Sequence, residues 1–136
     1  MPIQFAPAQG TIVTVDFDQG FRAPEMVKRR LAIVISPRIK ERGKLNTVVP
    51  LSTTVPLKVM PYHCQLDIPF QLPAFWNQQM CWVKGDMINA VGFHRVDLLC
   101  LGKDHQGKRI YQDKVLPAAT LQRVQQCVLH SIGLGP

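Results

Sequence analysis

The feature that most constrains the fold is an apolar pentapeptide set between a cluster of cations and a proline. Residues 31–35 read Leu-Ala-Ile-Val-Ile, directly after Lys-Arg-Arg at 28–30 and shortly before Pro37. An aliphatic, β-branched run between charged and turn residues is typical of a strand buried in a sheet. Such a strand would hold Arg30 at its mouth, where a planar guanidinium can bind two phosphate oxygens. The alternative interpretation is a solvated charge run.

The rest of the pattern predicts short strands followed by one helix. Strand-like segments occupy residues 11–17, 31–36, 46–51, 62–68, 80–83 and 86–91, with a polar-tipped hairpin over 98–101 and 109–111. Apolar residues then recur at helical spacing over residues 117–132, and Gly133 is a candidate C-cap. We therefore predict one domain over residues 1–136: a mainly β fold, a small bent sheet or barrel with a C-terminal α-helix.

Two residues predict local irregularities in these strands. Pro50 has no amide hydrogen, so we expect its strand to lie at an edge or to carry a bulge there. Gly85 separates two strand-like segments, and a bulge is expected at that point.

Composition places the chain among ordinary globular proteins. Of its 136 residues 46% are hydrophobic and 18% are charged. No apolar run reaches the roughly 18 residues of a membrane span. The N-terminal residues lack the basic start and apolar core of a signal peptide, so we expect a cytoplasmic protein without membrane association.

Positive charge is concentrated in one part of the sequence. The net charge is +7. A single acid, Glu41, stands among the cations of residues 28–44, which are Lys28, Arg29, Arg30, Arg38, Lys40, Arg42 and Lys44. Such a field would attract RNA, DNA or an acidic protein. Excess charge without a ligand is the alternative.

The four cysteines predict neither disulfides nor a metal site. They stand at 64, 81, 100 and 127, none in a C-x-x-C pair and all beside apolar residues. Reduced, buried thiols are therefore expected. His63-Cys64 is the only adjacent pair of potential metal ligands, and zinc sites usually show paired short spacings. We predict no metal and no cofactor.

Polar residues that fall at predicted strand ends could act on a phosphodiester. They are Arg30, Ser52, Thr53, Thr54, Lys84, Asp86 and Arg95. Cleavage of RNA through its own 2′-hydroxyl needs a base, cations or donors for the charge on phosphorus, and an acid for the leaving oxygen. Asp86 could be the base, and Arg30 or Lys84 could hold charge and supply the proton. Each also has a structural alternative, such as a hydroxyl-capped turn at residues 52–54.

Four sequence blocks resemble the PemK/MazF family, the toxin halves of bacterial type II toxin–antitoxin pairs. They lie at residues 10–17, 29–37, 46–53 and 83–86, in family order. The resemblance implies an SH3-like β-barrel with a C-terminal helix (a PemK/MazF/CcdB-like fold) and a homodimer. It implies a metal-independent endoribonuclease that cuts single-stranded mRNA to a 2′,3′-cyclic phosphate and a 5′-hydroxyl. It also implies an antitoxin with an acidic, partly disordered segment, through which alone DNA would be contacted.

The resemblance also implies roles for individual residues. Arg30 matches the catalytic arginine that opens a family strand, and Ser52 stands where the family usually has threonine, with Thr53 as a neighbour that could take over. Lys84 and Asp86 match an Arg-x-Asp pair that some members use as acid and base, whereas other members rely mainly on the arginine and threonine. Leu31 replaces a usual proline. We assign RNA binding to the remaining cations around these blocks, namely Lys28, Arg29, Arg38, Lys40, Arg42, Lys44 and Arg95.

Two further interpretations stay open at this stage. One is a binding module on the same barrel that grips nucleic acid or an acidic peptide without chemistry; the few aromatic residues argue against a stacking platform for single strands. The other is a gyrase-poisoning relative. That class uses an aromatic-bearing tip at the end of its helix, whereas residues 131–136 contain no tryptophan.

Overall fold

The structure is a computed structural model that describes residues 2–76 and 78–135. In this part of the chain a series of short strands precedes one C-terminal helix. The strands are β1 (Ile12–Asp16), β2 (Arg29–Val34), β3 (Leu45–Ser52), β4 (His63–Asp67), β5 (Met80–Lys84), β6 (Asn89–Gly92), β7 (Val96–Leu98), β8 (Cys100–Lys103) and β9 (Arg109–Tyr111), and the helix is α1 (Ala118–Ser131). Single 3-10 turns cover Ala74–Trp76, Gly85–Met87 and Phe93–Arg95.

The strands form one antiparallel sheet and a separate hairpin. The main sheet has the order β4-β5-β3-β2-β1-β7, and β6 pairs with the same edge of β3 as β5. Strands β8 and β9 pair only with each other among the described residues. The predicted class, mainly β with a C-terminal helix, is confirmed. Within the described ranges the sheet ends at β4 and β7, so it does not close into a complete barrel.

Pro50 lies where β3 exchanges one partner for another. The first half of β3, Leu45–Val48, pairs with β6, whereas Leu51 and Ser52 pair with β5. The amide of Ile35 donates to the Thr47 carbonyl, so alternation turns the backbone nitrogen of Pro50 away from β2 and toward this change of partner. The expectation that the strand of Pro50 lies at the edge of the sheet is wrong, because β3 is central. The missing amide hydrogen of Pro50 falls between the residues that pair with β6 and those that pair with β5.

Strand β2 is buried on both faces, which explains its unbroken apolar run. Leu31 and Ile33 join one core, and Ala32 and Val34 join another. The first core is covered by α1 through Val124 and Val128. The second lies under the chain that precedes β1 and the loop that follows it, and its members include Ile3, Val13, Val15, Phe17, Met26, Val48 and Val91. The position of Arg30 is therefore fixed by a strand that is held from two sides.

The helix matches its prediction in extent and in its cap. Its N–H groups at Gly133 and Leu134 donate to the carbonyls of His130 and Leu129, and Gly133 has φ +80°. These two bonds and the left-handed residue form a Schellman motif, so the predicted C-cap is confirmed. Among the described residues, no helix is long and apolar enough to span a membrane.

The segment after Gly85 differs from its prediction. Gly85–Met87 forms a 3-10 turn, and the strand begins only at Asn89, so the predicted strand over residues 86–91 is too long at its start. The turn exists because α1 passes directly over it. A Cβ on Gly85 would lie 2.7 Å from the Tyr62 carbonyl oxygen and 2.9 Å from the backbone carbon of Cys127. Only glycine allows the helix to approach this closely.

Candidate active site

The register of the sheet brings Arg30 and Ser52 together. Ala32 faces Pro50 at the last pair of β2 and β3, and extending this register by two residues along each strand would set Arg30 opposite Ser52 on the same face. Both side chains line a cleft of about 90 Å³ with Thr53. The cleft lies at the end of the sheet where β2 begins and β3 ends. Three of the five predicted catalytic residues are thus neighbours around one opening.

Local contacts hold the arginine and the serine in place. Arg30 donates from Nε to the carbonyl of Val27 at 2.9 Å. Ser52 is buried, and its Oγ accepts the Thr54 amide at 3.1 Å. The serine oxygen therefore closes the turn that the alternative interpretation expected, while its hydroxyl hydrogen can still donate. Thr53 is exposed and lines the cleft directly, which makes it the more accessible hydroxyl.

Lys84 and Asp86 are not among the described residues that line this cleft. Lys84 ends β5, and Asp86 belongs to the following turn. Burial lowers the pKa of Lys84, and the charge of Arg30 lowers it further, whereas Asp86 acts in the opposite direction. Lys84 thus lies within electrostatic range of both Arg30 and Asp86.

His63 is a site residue that sequence reasoning missed. It faces Lys84 across β4 and β5, and its Nε2 lies 4.0 Å from Oδ1 of Asp86. Its Nδ1 accepts the Met60 amide at 3.1 Å, which places the proton of the neutral ring on Nε2, toward Asp86. Burial and then Lys84 lower the pKa of His63, against opposing effects of Asp86 and the Lys58 carbonyl. The only sequence signal is its place at the start of a predicted strand.

The predicted RNA-binding cations divide between the two ends of β2. Lys28 and Arg29 lie beside Arg30, whereas residues 38–44 form the loop at the opposite end. Strand β2, whose six residues span roughly 20 Å at the usual rise, runs from the first group toward the second. The cluster that is continuous in sequence is therefore two patches in space.

Several of these arginines have partners within the fold. Arg29 donates to Asp97 at 3.1 Å and lies 3.7 Å from Asp16. The other contacts join Arg38 to the Ala6 carbonyl, Arg42 to the Thr47 hydroxyl, and Arg95 to the Asp16 carbonyl and the face of Phe21. Lys40 and Lys44 are exposed. The lysines of the loop are therefore better placed to attract a polyanion than the arginines beside them.

The cysteines are free thiols, and the prediction that they are buried holds for two of the four. Cys81 and Cys127 are buried, and Cys64 and Cys100 are half-buried. A hydrogen bond from Cys127 and the nearby Arg123 lower the pKa of Cys64 to about 7. Residues 2–76 and 78–135 contain no group of three His, Cys, Asp or Glu side chains arranged to hold a metal ion.

Residues 8–132 match the family model of PemK-like, MazF-like toxins of type II toxin–antitoxin systems. The chain belongs to the PemK/MazF toxin family. It is 27% identical to YifN, an uncharacterized protein of Escherichia coli strain K12, over 97% of this chain and 95% of that protein.

Solved structures of the family share the fold. The chain superposes on MazF (Form-I) from Deinococcus radiodurans with a TM-score of 0.63 at 20% identity, covering 96% of this chain and 99% of the other. An endoribonuclease from a mycobacterial species, solved in complex with its cognate antitoxin, gives a TM-score of 0.60 at 16% identity, with 96% and 99% covered. At such identities the likeness establishes the fold, and the chemistry has to be argued from the residues of this PemK/MazF-family chain.

Proposed function

We propose that this chain is an endoribonuclease toxin that cuts single-stranded mRNA. The observation that carries the proposal is the cleft at the end of the sheet, where Arg30, Ser52 and Thr53 meet, with Lys84 in electrostatic range of both Arg30 and Asp86. Such a cleft can surround a phosphodiester with a fixed cation and hydroxyl donors. Family membership supports the same reaction class.

In the proposed reaction the RNA supplies its own nucleophile. Asp86 takes the proton of the 2′-hydroxyl, and the oxygen attacks the adjacent phosphorus. The bond from phosphorus to the 5′ oxygen breaks, leaving a 2′,3′-cyclic phosphate, and Lys84 gives a proton to the departing oxygen. His63 lies against Asp86 and would orient the carboxylate. This sequence of steps needs acid–base groups and no metal.

Charge stabilisation falls to Arg30 and the neighbouring hydroxyls. The phosphorus gains negative charge on its non-bridging oxygens as the attack proceeds. Arg30 is held by the Val27 carbonyl through Nε, so its terminal nitrogens are the groups left to face the phosphate. Thr53, and Ser52 through its hydroxyl hydrogen, would donate to the same oxygens. Donors fixed before the reaction stabilise this charge without reorganising.

We further propose an acidic antitoxin segment and a second copy of the chain as partners. The mycobacterial relative was solved with its cognate antitoxin. The net charge of +7 and the exposed Lys40 and Lys44 would attract such a segment. The homodimer stays a prediction, which light scattering on the purified chain tests.

The central experiment compares Arg30→Ala with Arg22→Ala, a matched exposed arginine outside the cleft. Antitoxin-free protein is incubated with long single-stranded RNA in chelator, and the 5′ ends are mapped. We expect Arg30→Ala to cleave about 10²–10³-fold more slowly, since one charge-stabilising donor group is lost. Arg22→Ala should match the wild type. Wild-type protein that binds RNA and leaves it intact would replace the proposal with the non-catalytic binding module.

A further inference from the structure

A second and larger cavity adjoins the catalytic cleft. It encloses about 310 Å³ between the turn at residues 73–76, strands β1 and β7, and the β8–β9 hairpin. This volume is at the lower end of the range for small-ligand pockets, about 300–1,000 Å³. Its walls include three aromatic rings, those of Phe75, Trp76 and Tyr111. The family comparison assigns nothing to this cavity.

Two of these rings, Phe75 and Tyr111, are exposed to solvent, whereas Trp76 is half-buried and packs against the first core. The side chain of Phe75 is 84% exposed, and Tyr111 is 40% exposed. Phe75 meets Trp76 edge to face, with ring centroids 5.0 Å apart and an interplanar angle of 82°. A short turn that holds two aromatic residues at right angles offers a flat ring face to a ligand. Single-stranded nucleic acids use such faces, because every base can stack on them.

The cavity is continuous with the place where the phosphate would lie. Arg29 and Trp76 line both this cavity and the cleft that holds Arg30, Ser52 and Thr53. A nucleotide whose phosphate occupied the cleft could therefore place a base in the neighbouring cavity. The cavity and the cleft are therefore immediate neighbours that share two wall residues.

The charges in the cavity suit a base better than an anion. Arg29 is paired with Asp97 at 3.1 Å and lies near Asp16, so its positive charge is largely balanced. Arg109, which lines the cavity together with Tyr111, adds donors at the other wall. Together these groups offer donors and acceptors beside stacking surfaces, which is how unpaired bases are recognised.

We propose that this cavity binds one base of the single-stranded RNA, adjacent to the phosphate that is cut. The proposal rests on the proposed function for its choice of RNA as ligand. The base stacks against the Phe75–Trp76 turn, and the polar groups at Arg29, Asp97 and Arg109 contact its edge. This position would contribute to the sequence preference of the enzyme.

The test measures binding separately from cleavage. The probe is a labelled mixed-sequence RNA with 2′-O-methyl groups, which cannot be cut through the 2′-hydroxyl, and binding is followed by anisotropy. Phe75→Leu keeps an apolar side chain and removes the ring, and Phe5→Ala removes a ring that is equally exposed, at 84%, outside the cavity. We expect Phe75→Leu to raise Kd about tenfold or more, because stacking contributes about 1–3 kcal/mol per base. Phe5→Ala should leave Kd unchanged, and Phe75→Tyr should restore wild-type affinity.

An abasic scan locates the base. Replacing one nucleotide at a time by an abasic unit should weaken wild-type binding at one position and leave Phe75→Leu insensitive there. Equal affinities for Phe75→Leu and Phe5→Ala overturn the proposal, as does an acidic peptide whose binding, rather than that of RNA, depends on Phe75. If Arg30→Ala loses cleavage but Phe75→Leu binds RNA with normal affinity, the proposed nuclease function is supported and the proposed base site is contradicted. If RNA binding depends on the Phe75 ring but the wild-type protein does not cleave RNA, the base site is supported and the nuclease function is contradicted.

Discussion

The surroundings of Lys84 shift its pKa in opposing directions. Burial and the charge of Arg30 lower its pKa, and Asp86 offsets part of the effect. An ammonium group with a lowered pKa is a stronger acid near neutral pH than an ordinary lysine. In the proposed reaction a lysine at this position therefore gives up its proton more readily than an arginine would, because arginine hardly releases its proton.

The pH profile of cleavage tests this role of Lys84. A general acid must be protonated, so the rate should fall as pH rises through the lowered pKa of Lys84. Lys84→Arg should move this fall to higher pH and reduce the rate at neutral pH, since guanidinium is the weaker acid. Lys114→Arg, an exposed matched change, should leave the profile unaltered. A profile that is the same in Lys84→Arg and the wild type would exclude Lys84 as the acid.

The sequence predicts the position of individual residues within strands better than it predicts which residues come into contact. Arg30 could be placed at a strand mouth because the apolar run after it is unmistakable. His63 was considered only as a metal ligand, because its approach to Asp86 depends on the pairing of β4 with β5. The position of Phe75 and Trp76 at a cavity was not predictable, since it depends on how their turn packs beside strands that are distant in sequence.

At the scale of elements, helix α1 and the turn Gly85–Met87 form one unit. The backbone of Cys127 lies so close to Gly85 that a Cβ there would be 2.9 Å from it. The Gly85 amide also donates to the Tyr62 carbonyl at 3.0 Å. Asp86 therefore takes its position from a contact between the last helix and the sheet.

Gly85→Ala should disturb stability and cleavage together. We expect a loss of about 1–3 kcal/mol in the free energy of unfolding, because the added methyl overpacks this contact. Cleavage should fall by up to about 10²-fold, because Asp86 is displaced. Gly133→Ala costs backbone strain at φ +80° but meets open space, so it should lower stability without lowering the cleavage rate. Urea unfolding and RNA cleavage measure both; full activity in Gly85→Ala would contradict the coupling.

Most elements were predictable because their signals are local. Strands β1 to β5, the β8–β9 hairpin and α1 follow from periodicity and turn residues. The start of β6 was not predictable, because residues 86–88 have strand-like composition and are bent by the helix above them. The short β7 and the central position of β3 were not predictable either, because both depend on partner strands that are distant in sequence.

For the whole molecule, the division of positive charge limits what each patch can contact. Lys40 and Lys44 lie beyond the far end of β2, roughly 20 Å from the cleft by strand length. A short RNA seated at Arg30 would not reach them, whereas a long one would.

Lys40→Ala combined with Lys44→Ala should therefore act only on long substrates. We expect weaker binding of long single-stranded RNA, with the slope of log K against log salt reduced by about 1.4, or 0.7 per phosphate contact. Cleavage of a short oligonucleotide should be unaffected. Anisotropy titrations at several salt concentrations, alongside a Lys114→Ala, Lys103→Ala double variant as control, measure the slope. An unchanged slope with long RNA would mean that the loop does not contact the substrate.

The two-sided burial of β2 bears on how such a chain can change over time. Residues with apolar neighbours above and below leave no room for a larger side chain and tolerate no polar one. Substitutions are therefore tolerated mainly at the ends of the strand and in the loops beyond them, where they could alter the preference for a ligand without changing the core of the sheet.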